Sequence, residues 1–489
     1  MVDTKEQRKI EQFIKDFVDE IQQGNAAIFA GAGLSVAAGF VNWHDLISPI
    51  MEKLGLDPKI EKETDLVAIA QYYCNENEGN RNFLNQLIIN KLSGCNELTE
   101  NHEILARLPI RTYWTTNYDK LIERALEKAR KNPDVRYEQE HLVRTKPKCN
   151  AVIYKMHGDV DNAHNAILTK DDYEKYHMKY GKFIDVLTCD LMSKTFLFIG
   201  FSFTDPNIDY VLGQMRTIFD NNQRQHYCFS KTRTKHEGES DNEFNNARIK
   251  QELAIKELER FHITTLLIDD YSDITEILKR IELQYRQRTI FISGSAEEYG
   301  DWTKQEAEEF LCDLSRNLIN KRFRIATGVG LGIGNSIITG AIEQIYRNND
   351  RVEDWLIMRP FPQKNSDKDN IQSLWECYRQ EFIPTAGICL VVFGNKKDKD
   401  NNKVPATGVR REFEIAKEIA KEKGLKIVPV GATGYVAKKI WEEMKSSFDE
   451  YYPNSNQDLK EKFNKLNDEE KPSELINSIL EFISSITNH

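Results

Sequence analysis

The sequence predicts an α/β protein with two domains, each formed by a parallel sheet that helices cover on both faces. The chain has 489 residues, which is more than one hydrophobic core usually holds. Short apolar runs alternate with stretches of helical spacing, a pattern typical of parallel-sheet proteins. This alternation begins again after residue 285. We therefore expect one domain over residues 1–285 and a second over residues 286–489.

The first half begins with an amphipathic helix over 7–22, whose apolar face is either a subunit contact or packs on its own domain. A second helical stretch covers 119–131. The polar stretch around 230–250 is typical of an exposed loop or insertion, and a helix over 273–285 closes this half. Apolar runs that end in small or polar clusters predict strands over 26–30, 112–115, 152–156, 196–199 and 263–268.

The second half repeats this organisation. Helices are expected after the first strand, up to residue 345, and over 473–486 at the end of the chain. Polar loops are expected over 364–370 and 396–403. The apolar runs predict strands over 289–292, up to residue 327, and over 355–358, 388–393 and 427–430.

Composition and charge exclude several functional classes. The formal net charge of −10 is unlike the basic surface of a general nucleic-acid binder. The first residues lack the apolar core of a signal peptide, and no apolar run is long enough to span a bilayer. We therefore expect a cytoplasmic protein that binds neither nucleic acid nor membrane.

The eight cysteines are scattered along the chain, and none of them forms a C-x-x-C pair. In a chain without an export signal, we expect reduced thiols. A structural zinc site is not expected, because its ligands usually come in closely spaced pairs.

Four predicted strands each end in an unusual cluster, and ligands of parallel sheets bind at this edge. In the first cluster, AGAGLS at 30–35, small residues let backbone N–H groups approach a diphosphate. A tight strand-to-helix turn explains the same residues equally well. In the last cluster, GFSFTD, Gly200 permits close backbone approach and Ser202 can bond phosphate or ribose. Alternatively, this segment is a turn in which Asp205 caps a helix.

The two remaining clusters offer side chains for chemistry. Asn117 in TNYD can hold a ribose hydroxyl or a water molecule. Asn117 and Asp119 also suit a turn and a helix cap. His157 in MHGD can take a proton from water or a ribose hydroxyl, although a lone histidine is more often structural.

In their order, these four motifs resemble those of the sirtuin family, in its bacterial defence-associated branch, and LTKDDYEKY at 168–176 resembles this branch as well. The resemblance implies a sirtuin-like, Rossmann-type domain in which Asn117 positions the ribose or the attacking water and His157 is the general base. Phe201 departs from the family pattern, which usually has a small residue there. The resemblance also implies an NAD site formed by Ala30, Gly31, Ala32, Gly33, Ser35, Asp119, Gly200 and Ser202.

One departure from the family bears on the reaction. Sirtuins that remove acyl groups from proteins usually carry a four-cysteine zinc module, and this chain lacks that spacing. The expected reaction is therefore hydrolysis of NAD, in which water captures an oxocarbenium-like ribose after nicotinamide leaves. Two alternatives remain open: an NAD-dependent protein deacylase, and a nucleotide-binding module without catalytic activity.

The second half has two glycine-rich turns between a strand and a helix, a geometry that suits nucleotide phosphates. It resembles the SLOG group of Rossmann-like nucleotide hydrolases and ligand sensors. Hydrolases of this group usually carry P-G-G-x-G-T-x-x-E, and 408–412 keeps only a glycine and the glutamate. Sensing is therefore expected. The turn residues expected to contact the ligand are Gly294, Ser295, Gly330, Leu331 and Gly332.

The order of the two domains resembles the NAD-cleaving effectors of the Thoeris anti-phage defence system. The resemblance implies that a cyclic ADP-ribose isomer, made by a partner TIR-domain enzyme, binds the second domain and activates the first allosterically. It implies contacts to that ligand from Arg379, Lys396 and Glu412, a homotetramer, and depletion of cellular NAD. Without the resemblance, Arg379 and Lys396 would be interpreted as ordinary surface charges.

Overall fold

The computed structural model describes residues 4–59, 65–94, 96–144, 146–220, 222–362, 371–398, 400–453, 455–469 and 471–487. The chain divides into two compact units, Met1–Ile281 and Glu282–His489. This division falls inside one helix, Ser272–Gln287, which also contains the predicted boundary after residue 285. Both units are α/β with parallel main sheets, which confirms the predicted fold class.

The first unit contains a seven-stranded parallel sheet in the order β3-β4-β2-β1-β5-β6-β7. The strands whose ends carry the four predicted motifs are neighbours at the centre of this sheet. The strand order reverses at β1, because β2 lies on one side of it and β5 on the other, both parallel to it. The strands are β1 (Ala26–Ala30), β2 (Thr112–Thr115), β3 (Pro133–Arg136), β4 (Ala151–Lys155), β5 (Thr195–Ile199), β6 (His226–Lys231) and β7 (Ile263–Ile268).

Helices cover this sheet and bury its apolar strands. The predicted N-terminal helix packs on its own unit, with Phe13, Ile14 and Phe17 fully buried. The helices are α1 (Thr4–Gln23), α2 (Ala32–Val36), α3 (Trp43–Lys53), α4 (Leu66–Glu76), α5 (Asn82–Leu92), α6 (Glu100–Arg107), α7 (Leu121–Lys128), α8 (Gln139–Leu142), α9 (Lys170–Glu174), α10 (Tyr176–Ser193), α11 (Pro206–Phe219), α12 (Asp241–Arg260) and α13 (Ser272–Gln287).

The expectation of a loop over 230–250 is wrong for much of that stretch. Strand β6 extends to Lys231, and α12 begins at Asp241. Ser240 and Glu243 form a capping box at the start of α12, in which each side chain bonds the backbone of the other residue. All 20 residues of the helix remain at least partly exposed, which explains its polar composition.

The second unit has a five-stranded parallel sheet in the order β10-β9-β8-β11-β14, and a separate antiparallel hairpin, β12-β13. The hairpin occupies part of the predicted polar loop 396–403, whereas the predicted loop 364–370 lies outside the described residues. The strands are β8 (Thr289–Ser295), β9 (Arg324–Thr327), β10 (Leu356–Met358), β11 (Ile388–Phe393), β12 (Asn395–Lys397), β13 (Lys403–Pro405) and β14 (Lys426–Pro429).

Nine helices of the second unit lie in the described residues, and the sheet and helices share one large apolar core. In the part of the chain that the structure describes, no helix has the length and apolar character needed to cross a membrane. The helices are α14 (Lys304–Asn320), α15 (Gly334–Arg347), α16 (Val352–Trp355), α17 (Ile371–Phe382), α18 (Thr407–Lys423), α19 (Tyr435–Ser446), α20 (Phe448–Tyr451), α21 (Gln457–Asp468) and α22 (Pro472–Ile486).

Candidate functional site

The glycine-rich loops after β1 and β5 pack directly against each other. The Gly31 N–H donates to the Ile199 carbonyl at 2.9 Å, and the Gly33 N–H donates to the Gly200 carbonyl at 2.9 Å. A Cβ atom at Gly31 would lie 2.3 Å from the Gly200 carbonyl oxygen. Both N–H groups are therefore already bonded within the protein, and the predicted contacts of Gly31 and Gly33 to NAD stay predictions. The glycines are needed because two backbone segments meet here.

Asn117 follows β2 and is held by the loop after β1. Its Nδ2 donates to the Gly31 carbonyl and to Ser35 Oγ, each at 3.0 Å. The Ser35 hydroxyl in turn donates to Asp119 Oδ2 at 2.7 Å. These contacts fix the orientation of the Asn117 amide before any ligand binds, as a site for ordered chemistry requires.

A buried lysine joins the loop after β2 to the loop after β4. Lys155 is the last residue of β4, and its side chain is fully buried. Its Nζ donates to the Asp119 carbonyl at 2.6 Å, to Glu123 Oε1 at 3.0 Å and to Asp159 Oδ2 at 2.5 Å. Burial acts to lower the pKa of Lys155, but Glu123 and Asp159 outweigh burial and raise it. The ammonium group therefore remains charged.

His157 lies two residues after β4, and its imidazole faces a carboxylate. Its Nε2 lies 2.9 Å from Asp205 Oδ2. The Tyr173 hydroxyl donates to the same carboxylate oxygen at 3.1 Å, and the ring of Tyr173 lies edge-on to the imidazole, with the ring centres 5.6 Å apart. Burial acts to raise the pKa of Asp205, but the facing His157 and the hydrogen bonds to the carboxylate outweigh it and lower the pKa.

These residues surround one cavity of about 630 Å³, a size typical of small-molecule sites. Both predicted catalytic residues, Asn117 and His157, line it. All the predicted NAD-contact residues line it as well, except Ala30 and Gly31. Ala30 is a fully buried residue of β1, and its carbonyl accepts a hydrogen bond from Thr115 Oγ1.

Several residues of the cavity were not predicted to belong to the site. Trp43 lines the cavity from α3 and stacks near Tyr118, with the ring centres 6.3 Å apart. Asp205 caps α11, as the alternative interpretation expected, but it also contacts His157. Phe201, which departs from the family pattern, lines the cavity and packs on Phe29 with the ring centres 4.8 Å apart. Tyr118, Phe201 and Asp205 stand within the predicted motifs, whereas Trp43 stands outside them.

The glycine-rich turns of the second unit also pack on each other. A Cβ atom at Gly330 would lie 2.2 Å from the Gly294 carbonyl oxygen, and one at Gly332 would lie 1.8 Å from the Ala296 carbonyl oxygen. The Leu331 carbonyl accepts from the Ala296 N–H at 2.8 Å, and the Leu331 side chain is 59% exposed. The Ser295 hydroxyl donates to the Asn395 carbonyl at 2.6 Å. The predicted effector contacts of these turns stay predictions.

Arg379 and Glu412 lie together in the second unit. Arg379 Nε lies 3.5 Å from Glu412 Oε1, and the two side chains are 11% and 9% exposed. The Ser293 hydroxyl donates to Glu412 Oε2 at 2.6 Å. The interpretation of Arg379 as an ordinary surface charge is therefore wrong. Lys396 is partly exposed and donates to Thr407 Oγ1 at 3.1 Å.

The described residues contain no group of three or more His, Cys, Asp and Glu side chains suited to a metal ion. Cys95 lies outside the described residues. The cysteines that carry free thiols in the described part of the chain are Cys74, Cys149, Cys189, Cys228, Cys312, Cys377 and Cys389.

Comparisons with known proteins match both units. Residues 111–255 match the SIR2-like domain family, and residues 273–486 match the Sir2- and TIR-associating SLOG family. The chain is 48% identical to a protein named NAD(+) hydrolase ThsA from Bacillus cereus (strain MSX-D12), over 98% of this chain and 99% of that protein. A protein of the same name from Acinetobacter baumannii (strain 532279) is 46% identical over 97% of this chain and 98% of its own length. Another from Cytobacillus dafuensis is 46% identical over 90% of each chain.

Proposed function

The chain belongs to the family of proteins named NAD(+) hydrolase ThsA, and on this premise we propose that it hydrolyses NAD⁺ to ADP-ribose and nicotinamide. The observation that supports this most is that Asn117 and His157 line the same cavity of the first unit. The cavity lies at the carboxyl ends of β1, β2, β4 and β5, where parallel sheets bind nucleotides.

In the proposed reaction, the bond between ribose C1′ and nicotinamide breaks, and its electron pair leaves with nicotinamide. Water forms the new bond to C1′ and gives its proton to His157, from which the proton passes to solvent. An imidazole that faces a carboxylate on one nitrogen can accept a proton on the other. Asn117, fixed by Gly31 and Ser35, orients the ribose or the water.

The hydrogen bonds around Asn117 indicate that its neighbours Ser35 and Asp119 hold the site in shape and do not take part in the reaction itself. The Ser35 hydroxyl accepts from the Asn117 amide and donates to Asp119, and Ser35 and Asp119 both line the cavity. We propose that NAD⁺ contacts the remaining surfaces of the lining, including Ala32, Gly200 and Ser202. NAD⁺ is then the substrate, and the reaction needs no zinc.

We further propose that the second unit senses a signal nucleotide. Arg379 and Lys396 supply cations that suit a diphosphate, and Glu412 holds Arg379 in place. The resemblance to Thoeris effectors implies that the signal is a cyclic ADP-ribose isomer from a TIR-domain enzyme, that the active form is a homotetramer, and that activation depletes NAD during phage infection.

The direct test follows nicotinamide release from NAD⁺ by chromatography, using the full-length chain with and without cyclic ADP-ribose isomers, each tested separately. We expect Asn117→Ala and His157→Ala to abolish nicotinamide release. The matched controls are Asn246→Ala and His236→Ala, because both residues are exposed and lie outside the cavity. These controls should retain wild-type activity.

The same assay separates the proposal from its alternatives. A protein deacylase would release nicotinamide only when an acetylated peptide is present. A nucleotide-binding module without catalytic activity would release none under any of these conditions. Full activity of either cavity variant would overturn the assignment of the catalytic residues.

A further inference from the structure

We propose that Asp205 is a positioning residue for His157, and that its two carboxylate oxygens perform different tasks. This inference rests on the proposed hydrolysis of NAD⁺. Oδ1 accepts from the Asn207 and Ile208 N–H groups at 3.0 and 3.1 Å and so caps α11. Oδ2 lies 2.9 Å from His157 Nε2. The residue therefore ties the start of a helix to the imidazole that faces the cavity.

Burial makes this contact effective. The side chains of His157 and Asp205 are 5% and 7% exposed. Charges attract each other more strongly where water is excluded, because the effective dielectric constant falls. A protonated imidazole at this position is therefore stabilised by the Asp205 carboxylate, and the neutral imidazole is held in one orientation by the same contact.

Three tyrosines also lie near the Asp205 carboxylate. The Tyr173 hydroxyl donates to Oδ2, and Tyr118 and Tyr176 also lie within electrostatic reach of the carboxylate. Burial raises the pKa of each of these three phenols well above its ordinary value, so they are neutral around neutral pH. Compared with these neutral phenols, the Asp205 carboxylate consequently supplies the negative charge beside His157.

This arrangement gives Asp205 a defined part in the proposed reaction. Water loses its proton to His157 as the bond to C1′ forms, so positive charge develops on the imidazole. The Asp205 carboxylate stabilises that charge and keeps the ring aimed into the cavity. Asp205 itself takes no proton and forms no bond to the substrate.

The central test is Asp205→Asn. Asparagine keeps a side-chain oxygen and is as good a helix cap as aspartate, so α11 should remain intact while the charge facing His157 is lost. We expect kcat to fall on the order of 10²-fold, with KM for NAD⁺ changed much less. The acidic limb of the pH–rate profile should move to lower pH, because a protonated imidazole is no longer stabilised. The control is Asp209→Asn, an exposed position on the same helix.

We expect a second variant, Tyr173→Phe, to move the acidic limb of the pH–rate profile in the opposite direction. It removes the hydroxyl that donates to Asp205 Oδ2, so the carboxylate stabilises the imidazolium more strongly. The acidic limb should then move to higher pH. A residue that only supported the fold would not produce opposite shifts in these two variants, and thermal unfolding of both should match the wild type.

The outcomes separate this inference from the function on which it rests. If Asp205→Asn keeps the wild-type kcat and pH profile while His157→Ala is inactive, the role of Asp205 is overturned and NAD⁺ hydrolysis stands. If the wild-type chain releases no nicotinamide with or without a cyclic ADP-ribose isomer, the proposed function itself is overturned. If Asp205→Asn unfolds at lower temperature, the direction of the Tyr173→Phe shift alone decides the inference.

Discussion

Replacing Gly200 by alanine tests whether the glycines of the site are needed for packing between loops. Gly200 has φ +65°, a left-handed conformation that L-residues rarely adopt, and a Cβ atom there would lie 2.3 Å from the Leu34 nitrogen and 2.7 Å from the Gly33 carbonyl carbon. Both are backbone atoms, which cannot rotate away as a side chain can. The substitution therefore carries two separate costs in folding free energy.

The chain offers a matched position that carries only one of these costs. Gly238 has φ +81°, and nothing lies within 4 Å of its Cβ position. The left-handed conformation costs roughly 1–2 kcal/mol for a residue with a Cβ, and overpacking costs roughly 1–3 kcal/mol more. We therefore expect Gly238→Ala to destabilise the protein by about 1–2 kcal/mol and Gly200→Ala by about 2–5 kcal/mol.

The assay is equilibrium unfolding in urea, followed by far-ultraviolet circular dichroism. Both glycines lie in the first unit, so both substitutions act on the same transition, and the comparison does not depend on the second unit. Nicotinamide release should also be lost in Gly200→Ala, because the loop that must move carries the Gly31 carbonyl that holds Asn117. Equal destabilisation by the two substitutions, with activity intact in both, would refute this explanation of the glycines in the loops.

Three further predictions concern the buried cation, metal dependence and the sensing unit. Lys155→Met should abolish activity because it leaves Glu123 and Asp159 buried without a counter-charge, and wild-type activity in this variant would contradict a supporting role for Lys155. Prolonged treatment with a chelator should leave nicotinamide release unchanged. A loss of release that added Zn²⁺ restores would show a metal requirement. Arg379→Ala should abolish the response to a cyclic ADP-ribose isomer, whereas the exposed Arg351→Ala should respond like the wild type; binding calorimetry of the isomer checks this difference.

Much of the fold was predictable because its central strands are buried on both faces. Strands β1 and β2 are buried along their whole length, so they are continuous apolar runs in the sequence. Strand β3 was missed, because it is a polar strand at the edge of the sheet. Helix α12 was missed because it has no buried face, and the Ser240–Glu243 capping box was the signal that could have identified it.

The site was predictable only where its chemistry lies within short motifs. Asn117, His157 and the glycine-rich loops follow strands directly, so strand prediction alone brings them to one edge of the sheet. The glycines were expected to admit a phosphate, but Gly31 and Gly33 are instead in contact with the Gly200 loop. A contact between loops far apart in the sequence cannot be derived from the spacing of residues within either loop.

Lys155 illustrates how the sequence also conceals the support of a site. Lysines are rarely buried without a partner, so a lysine at the end of an apolar strand itself indicates a buried carboxylate nearby. Here Lys155 bonds the Asp119 carbonyl on one loop and Asp159 on the other. The loop after β2 carries Asn117 and the loop after β4 carries His157. One ammonium group therefore fixes the two catalytic loops relative to each other. Asp205 provides the corresponding link from His157 to the loop after β5, so the four strand ends form one connected support rather than four independent turns.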